Sequence, residues 1–255
     1  YYKWAIFNRK WRVECIMNNI PIFAHRWASS FHLENTFAAF KKAKELGADG
    51  IELDLQVSND GILVVFHDND LKRLAGINKM VNQCSYDELI HYKLGPRFKR
   101  LFRRDRMIAF ADVLEWANAE NIALNVELKE SLITNENVLK ELLHTITLPE
   151  NSHFSSFHES LLKIVKEIRP DIETGFIITR KFYWGTLEEQ NFFDAIHAHK
   201  RYYKGQYLEA CKTANIGMRF YGIQGNESFL KKPHSIVKGW ITDFPHLVRE
   251  AQVNR

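Results

Sequence analysis

Glu52 and Asp54 stand two residues apart in Ile51-Glu52-Leu53-Asp54-Leu55, and Asn125, Glu127 and Lys129 repeat that alternation in Leu124-Asn125-Val126-Glu127-Leu128-Lys129. In an extended chain every second side chain points the same way, so the two acids share a face, about 6.6 Å apart along it, and the apolar residues take the other. If both segments turn their polar faces to one interior, three carboxylates meet in a confined volume. There they repel one another and lack water, unless a cation joins them or some take up protons. A divalent metal resolves the conflict directly. A ligand set of oxygens without Cys or His suits the hard ions Mg²⁺ or Ca²⁺ better than zinc, and does not choose between those two.

Two histidines end neighbouring β-rich runs: His25, followed by Arg26, and His67, followed by Asp68. Imidazole takes or gives a proton near neutral pH, so such a pair can serve as base and acid in phosphoryl transfer. Glu52, Asp54 and Glu127 supply −3 and Arg26 and Lys129 +2, which sums to −1, or +1 once a divalent ion is present. That sign suits a phosphodiester monoanion, whose developing charge the metal and the cations can stabilise. Taken singly, each feature has a plain alternative: acids on an exposed strand, a Glu127–Lys129 rim pair, a structural histidine. Their joint placement at strand ends points to a metal-dependent phosphoryl enzyme.

The elements that position these residues follow from the patterning. β-rich runs at 20–25, 50–57, 62–67, 123–128, 153–157, 173–178, 195–199, 216–221 and 236–241 alternate with helix-length segments. The helical segments fall at 35–46, 111–120, 136–146, 158–168, 187–194, 206–214 and 244–251, with Asn35 or Thr36 suited to cap the first. Asn59-Asp60-Gly61 predicts a hairpin between the second and third runs. About eight strand–helix units in 255 residues fit an α/β fold of the TIM (β/α)₈ barrel type, with catalysis at the C-terminal ends of the strands. Neither G-x-G-x-x-G nor G-x-x-x-x-G-K-[ST] occurs, which disfavours a dinucleotide or P-loop site.

Residues 69–110 break the alternation and carry Arg97, Lys99, Arg100, Arg103, Arg104 and Arg106. They read as a short basic, insertion-like excursion after the second strand unit of a single domain spanning 1–255. Such a charge run is either a solvated face or a contact for an anion such as acidic lipid.

With 45% hydrophobic and 26% charged residues the chain can bury one large core, and disordered and fibrous classes are excluded. The net charge of +4 is too mild to indicate a nucleic-acid partner. No apolar stretch approaches membrane-spanning length, and Lys3, Arg9, Lys10, Arg12 and Glu14 interrupt the first twenty residues. A cytoplasmic protein is expected, with membrane association or export open should the N-terminus, which begins at Tyr1, be a trimmed one. Cys15, Cys84 and Cys211 are odd in number and widely spaced, and read as reduced, mostly buried thiols.

His25-Arg26, Glu34-Asn35-Thr36, Gly47-Ala48-Asp49-Gly50-Ile51-Glu52-Leu53-Asp54, Asp60-Gly61 and His67-Asp68 resemble, in order and spacing, the signature of the glycerophosphodiester phosphodiesterase family. The likeness continues through Val126-Glu127-Leu128-Lys129, Ser155-Ser156-Phe157 and Gly239-Trp240-Ile241-Thr242-Asp243-Phe244-Pro245, and so covers about residues 20–250. It implies a TIM barrel that uses one divalent metal to hydrolyse a small-molecule glycerophosphodiester to sn-glycerol 3-phosphate and an alcohol. By the same resemblance Glu52, Asp54 and Glu127 bind the metal, His25 and His67 form the acid–base pair, and Arg26 and Lys129 hold the phosphate. One histidine then helps a glycerol hydroxyl attack phosphorus, and the other protonates the leaving alcohol before a cyclic phosphate is hydrolysed.

Three departures stand out: Trp27 where glycine is usual, Leu33 where proline is common, and Phe220-Tyr221-Gly222-Ile223-Gln224 where many members carry Trp-Thr-Val-Asn. Phe220 or Tyr221 would replace that aromatic wall. Two alternatives accompany the main reading. One is phospholipase D-like action on lysophospholipid or sphingomyelin, for which the basic excursion and Tyr1, Tyr2, Trp4 and Phe7 would suit a membrane surface. The other is an inactive barrel serving as a binding module.

Overall fold

The computed structural model describes residues 19–26, 32–98, 100 and 105–253. Trp27, Tyr1, Tyr2, Trp4, Phe7, Cys15, Lys99, Arg103 and Arg104 lie outside the described residues.

Eight parallel strands close on themselves: β1 (Ile22–His25), β2 (Gly50–Val57), β5 (Ala123–Leu128), β6 (His153–Ser156), β7 (Glu173–Ile177), β8 (Ala195–His199), β9 (Gly217–Ile223) and β10 (Val237–Thr242), the last pairing with β1. The result is the expected TIM barrel. β3 (Leu63–Val65) returns antiparallel to β2 across the turn at Gly61, whose φ of 81° is the left-handed backbone that the Asp-Gly dipeptide predicts, and β4 (Ile108–Ala109) pairs with β3. The helices are α1 (Phe37–Glu45), α2 (Lys72–Ala75), α3 (Tyr86–His91), α4 (Phe110–Glu120), α5 (Glu136–Thr145), α6 (Glu159–Ile168), α7 (Gly205–Thr213) and α8 (Pro245–Val253). None of them is long and apolar enough to cross a membrane.

Alternation along β2 works as its sequence demands. Ile51, Leu53 and Leu55 pack outward into a core with Phe40 and Ala43 of α1 and Val113 and Ala117 of α4. Thr36 starts α1, its hydroxyl accepting from the Ala39 amide at 3.3 Å. Register then sets the site, because His25 lies beside Glu52 and Asp54 beside Glu127 on adjacent strands.

One expected element is not α-helical in the described residues. The expected 187–194 helix is instead a 3₁₀ segment over Trp184–Glu189, kinked at Thr186, between β7 and β8. Gly185 sits in it, and just past it Phe193 stacks on Phe176 while Phe192 meets both rings edge-on, so ring packing overrides helical periodicity. The β9–β10 connection likewise carries only a 3₁₀ turn, Ser228–Leu230.

The excursion packs Leu71, Leu74, Val81, Leu89 and Met107 into a small core with Val64 of β3 and Phe66. Arg100 is not a solvated cation. Its guanidinium donates to the carbonyls of Ala75 at 2.5 Å and Gly95 at 3.1 Å, which staples the segment internally. Cys84 and Cys211 are buried and unpaired, and burial pushes the Cys211 thiol up to about 12.

Candidate active site

β1 ends at His25, and the next residue, Arg26, turns the chain with φ of 48°, a left-handed conformation unusual for a side chain of this size. Glu52 holds the turn: its carbonyl and its Oε2 accept from the Arg26 amide at 2.9 and 3.1 Å. Strain of this kind persists where surrounding bonds over-determine it, and here it aims the guanidinium back over β2. Arg26 Nε lies 3.1 Å from Asp54 Oδ2 without hydrogen-bond alignment, so this buried donor is unpartnered.

Glu52, Asp54 and Glu127 are all buried, and each offers an oxygen within 4.8 Å of the others. Lys129, just past β5, places Nζ 2.8 Å from Glu127 Oε1 and 3.4 Å from Asp54 Oδ1. The acids respond in opposite directions. Burial, reinforced by Asp54, pushes Glu52 up to about 8 against the pull of His25. Burial also presses on Asp54, but Arg26, then Lys129 and His67, outweigh it and keep that carboxyl below its ordinary value. A cluster that is all oxygen, converging and anionic beyond its local cations fits a hard divalent metal, and a proton on Glu52 stands in for part of that charge.

Each histidine has Nδ1 on a carboxylate, which leaves Nε2 for chemistry. His25 Nδ1 is 3.0 Å from Asp243 Oδ1, and its Nε2 is 4.0 Å from Glu52 Oε2. Burial lowers its affinity for a proton, yet Glu52 and Asp243 together outweigh that and raise it. His67 Nδ1 is 2.7 Å from Asp68 Oδ1. Arg73 of α2 grips Asp68 through two bonds of 2.6 and 3.0 Å and Glu34 through two of 2.8 and 2.6 Å. The amide of Gln56 donates to the Asp68 carbonyl at 2.5 Å and the Phe66 carbonyl at 3.2 Å, fixing the backbone that carries His67.

These groups border a cavity of about 190 Å³, closed on its other side by Phe157, Ile177, Tyr221 and Ile241. All seven residues picked out in the sequence converge at this mouth of the barrel: Asp54 contacts Arg26 and Lys129 directly, and the other six line the cavity. Of the two aromatic candidates Tyr221 borders the cavity, whereas Phe220 is fully buried against Tyr203 and Trp240. Sequence reading missed four supports. Asn35 donates to Asp54 Oδ2 at 3.0 Å instead of capping α1. Gln56 is the next inward residue after Glu52 and Asp54, so the alternation could have found it. Asp243 lies in the quoted closing motif, and Arg73 has no local signal at all.

Comparison with known proteins decides the family. The Glycerophosphoryl diester phosphodiesterase family model matches residues 25–247, from the first histidine of the site to beyond the last strand. The chain belongs to this family. A glycerophosphodiester phosphodiesterase of Caldanaerobacter subterraneus is 29% identical over 232 residues, covering 88% of this chain and 94% of its own. A mouse lysophospholipase D is 30% identical over 171 residues, covering 64% of this chain and 51% of its own. Among solved structures, an Oleispira antarctica phosphodiesterase in complex with the product sn-glycerol-3-phosphate shares the fold at a TM-score of 0.74 and 24% identity, over 92% of this chain and 98% of that one. The chain is thus a glycerophosphoryl diester phosphodiesterase family member, an enzyme of a hydrolase family, with a buried acidic triad able to hold a metal.

Proposed function

We propose that the protein hydrolyses glycerophosphodiesters to sn-glycerol 3-phosphate and an alcohol, using one divalent metal, Mg²⁺ or Ca²⁺. The observation that carries this reading is the joint placement of an acid triad, two phosphate-ready cations and two carboxylate-oriented histidines around one cavity. The sn-glycerol-3-phosphate held by the Oleispira phosphodiesterase supports the product assignment.

In this reading Glu52, Asp54 and Glu127 would hold the metal, which would supply charge stabilisation to the phosphoryl group. Arg26, whose buried Nε lacks an aligned acceptor, and Lys129 orient the phosphate. His67, with Nδ1–H donated to Asp68, accepts through Nε2 the proton of the glycerol hydroxyl next to the diester as that oxygen attacks phosphorus. His25, its Nδ1 held by Asp243, gives its Nε2 proton to the leaving alcohol oxygen. Water then opens the resulting cyclic phosphate with the two roles reversed. We read the chain as one domain in which residues 69–110 are an insertion that also supplies Arg73 to the site.

A purified sample assayed with glycerophosphocholine and glycerophosphoethanolamine tests the reading, with release of sn-glycerol 3-phosphate as the expected result and silence on both as the contrary one. The apolar side of the cavity, with Phe157 45% exposed, favours a second reading in which the diester is a lysophospholipid. Lysophosphatidate or its cyclic form, made from lysophosphatidylcholine, distinguishes that outcome.

A further inference from the structure

The opposite end of the barrel carries a second polar cluster. A cavity of about 530 Å³ opens at the N-terminal ends of the strands, and His153, Glu173, Arg219 and Lys238 from β6, β7, β9 and β10 border it. Two glycines make room for the cations. A side chain at position 217 would meet the Lys238 stem at 2.4 Å, and one at 239 would lie 3.3 Å from the stem of Arg219. The Arg219 guanidinium packs over the Phe23 ring at 6.0 Å.

Glu173 is shared between them, accepting from Arg219 on one oxygen and from Lys238 at 3.0 Å on the other. Arg169 and Asp171 at the rim neutralise each other through bonds of 2.9 and 2.8 Å. Two cations, Arg219 buried and Lys238 partly exposed, against one acid leave a charge of +1 beside the cavity.

Donors are in excess as well. Arg219 is 6% exposed and its Nε has no partner; His153 is 0% exposed and neither ring nitrogen makes an aligned hydrogen bond. Burial, then the charge of Arg219, keeps His153 neutral, while the nearby Asn151 backbone pulls the other way, so its ring offers the cavity at most one N–H, which the Asn151 carbonyl already approaches. Buried donors without acceptors are costly, and an oxygen-rich anion satisfies several at once.

We propose that this floor cavity is a binding site for a small phosphate-class oxyanion, either inorganic phosphate or a phosphomonoester, held by Arg219, Lys238 and His153. The site lies at the far end of the barrel from the catalytic cavity and does not depend on the reaction assigned there. Glu173 competes with the ligand for both cations and so sets its affinity.

Histidine ring resonances separate the two ends in an NMR titration with inorganic phosphate and, in a second arm, sn-glycerol 3-phosphate, both in chloride buffer. His153 reports the floor and His25 and His67 the mouth, while His197, which touches His153 but borders the mouth cavity, is counted with neither. Saturable shifts at His153 are expected, weakened about fivefold or more by Lys238→Gln and tightened by Glu173→Gln, since an acid that competes with the anion is removed. The arm with the lower midpoint names the ligand's source. Shifts confined to His25 and His67, or His153 shifts that Lys238→Gln leaves unchanged, overturn the proposal. Lys238 is partly exposed and its loss is compatible with folding, so that variant decides the matter even where Glu173→Gln does not fold.

Discussion

The mouth and the floor of this barrel are built from the same kinds of side chain in opposite proportion. At the mouth three buried acids face two cations, and one of the acids, Glu52, is pushed towards its protonated form. At the floor two cations share one acid, and Glu173 is held below its ordinary carboxylate range because Arg219 and Lys238 outweigh its burial. An interior short of positive charge recruits a cation and an interior short of negative charge recruits an anion, so the sign of the imbalance foretells the ligand at each end. The mouth also has a second layer, Asp243, Asp68, Arg73 and Gln56, that orients its histidines. His153 at the floor meets His197, which borders the mouth cavity from deeper in the barrel, edge to face at 5.3 Å, and neither ring has such a carboxylate partner. A carboxylate on Nδ1 fixes the ring of His25 and of His67, whereas packing alone holds His153.

The strongest way to break the comparison is to remove an acid from the mouth. Glu127→Gln is expected to lower kcat by about a thousandfold or more while the melting temperature of the metal-free protein stays level or rises, because crowding of like charge is relieved. His25→Asn and His67→Asn should each cost roughly a hundredfold to ten-thousandfold in kcat with little change in metal binding measured calorimetrically. Arg73→Ala acts through Asp68 on His67 and is expected to lower kcat by about ten- to a hundredfold with KM nearly constant, Arg73→Lys restoring part of it.

A pH series sharpens the contrast further. Glu52 binds its proton more tightly in the folded, metal-free protein than in the unfolded chain, so the native state takes up protons between the ordinary value of 4.5 and about 8. Stability of the metal-stripped protein should therefore fall as pH rises through that window, and Glu52→Gln should flatten the slope in a thermal melt series. The smallest effect belongs to the floor. Gly217→Ala crowds the Lys238 stem and should lower the melting temperature by a few degrees while leaving kcat on diesters unchanged.

Much of the mouth was legible in the sequence, because its seven residues sit in short motifs at strand ends, where alternation alone decides which side chains point inward. Asn35 was readable as a cap candidate and as part of Glu34-Asn35-Thr36, and neither reading encodes its bond to Asp54. Asp243 and Arg73 reach the histidines through contacts across 218 residues and through a neighbouring carboxylate respectively, which no local pattern encodes. The floor was invisible for a related reason. His153, Glu173, Arg219 and Lys238 come from four strands and meet only once β6–β7 and β9–β10 register is set. The expected helix at 187–194 failed where aromatic packing outweighed periodicity.

The most direct test strips the protein with chelator and follows sn-glycerol 3-phosphate release from glycerophosphocholine as Mg²⁺ or Ca²⁺ is returned, with metal bound per chain measured in parallel. The account predicts no release from the stripped protein, recovery with one ion per chain, and no recovery in Glu127→Gln. Full release after stripping, or undiminished release by Glu127→Gln, would contradict the metal role of the acid triad; one ion bound without turnover of any diester would leave a binding barrel in place of an enzyme.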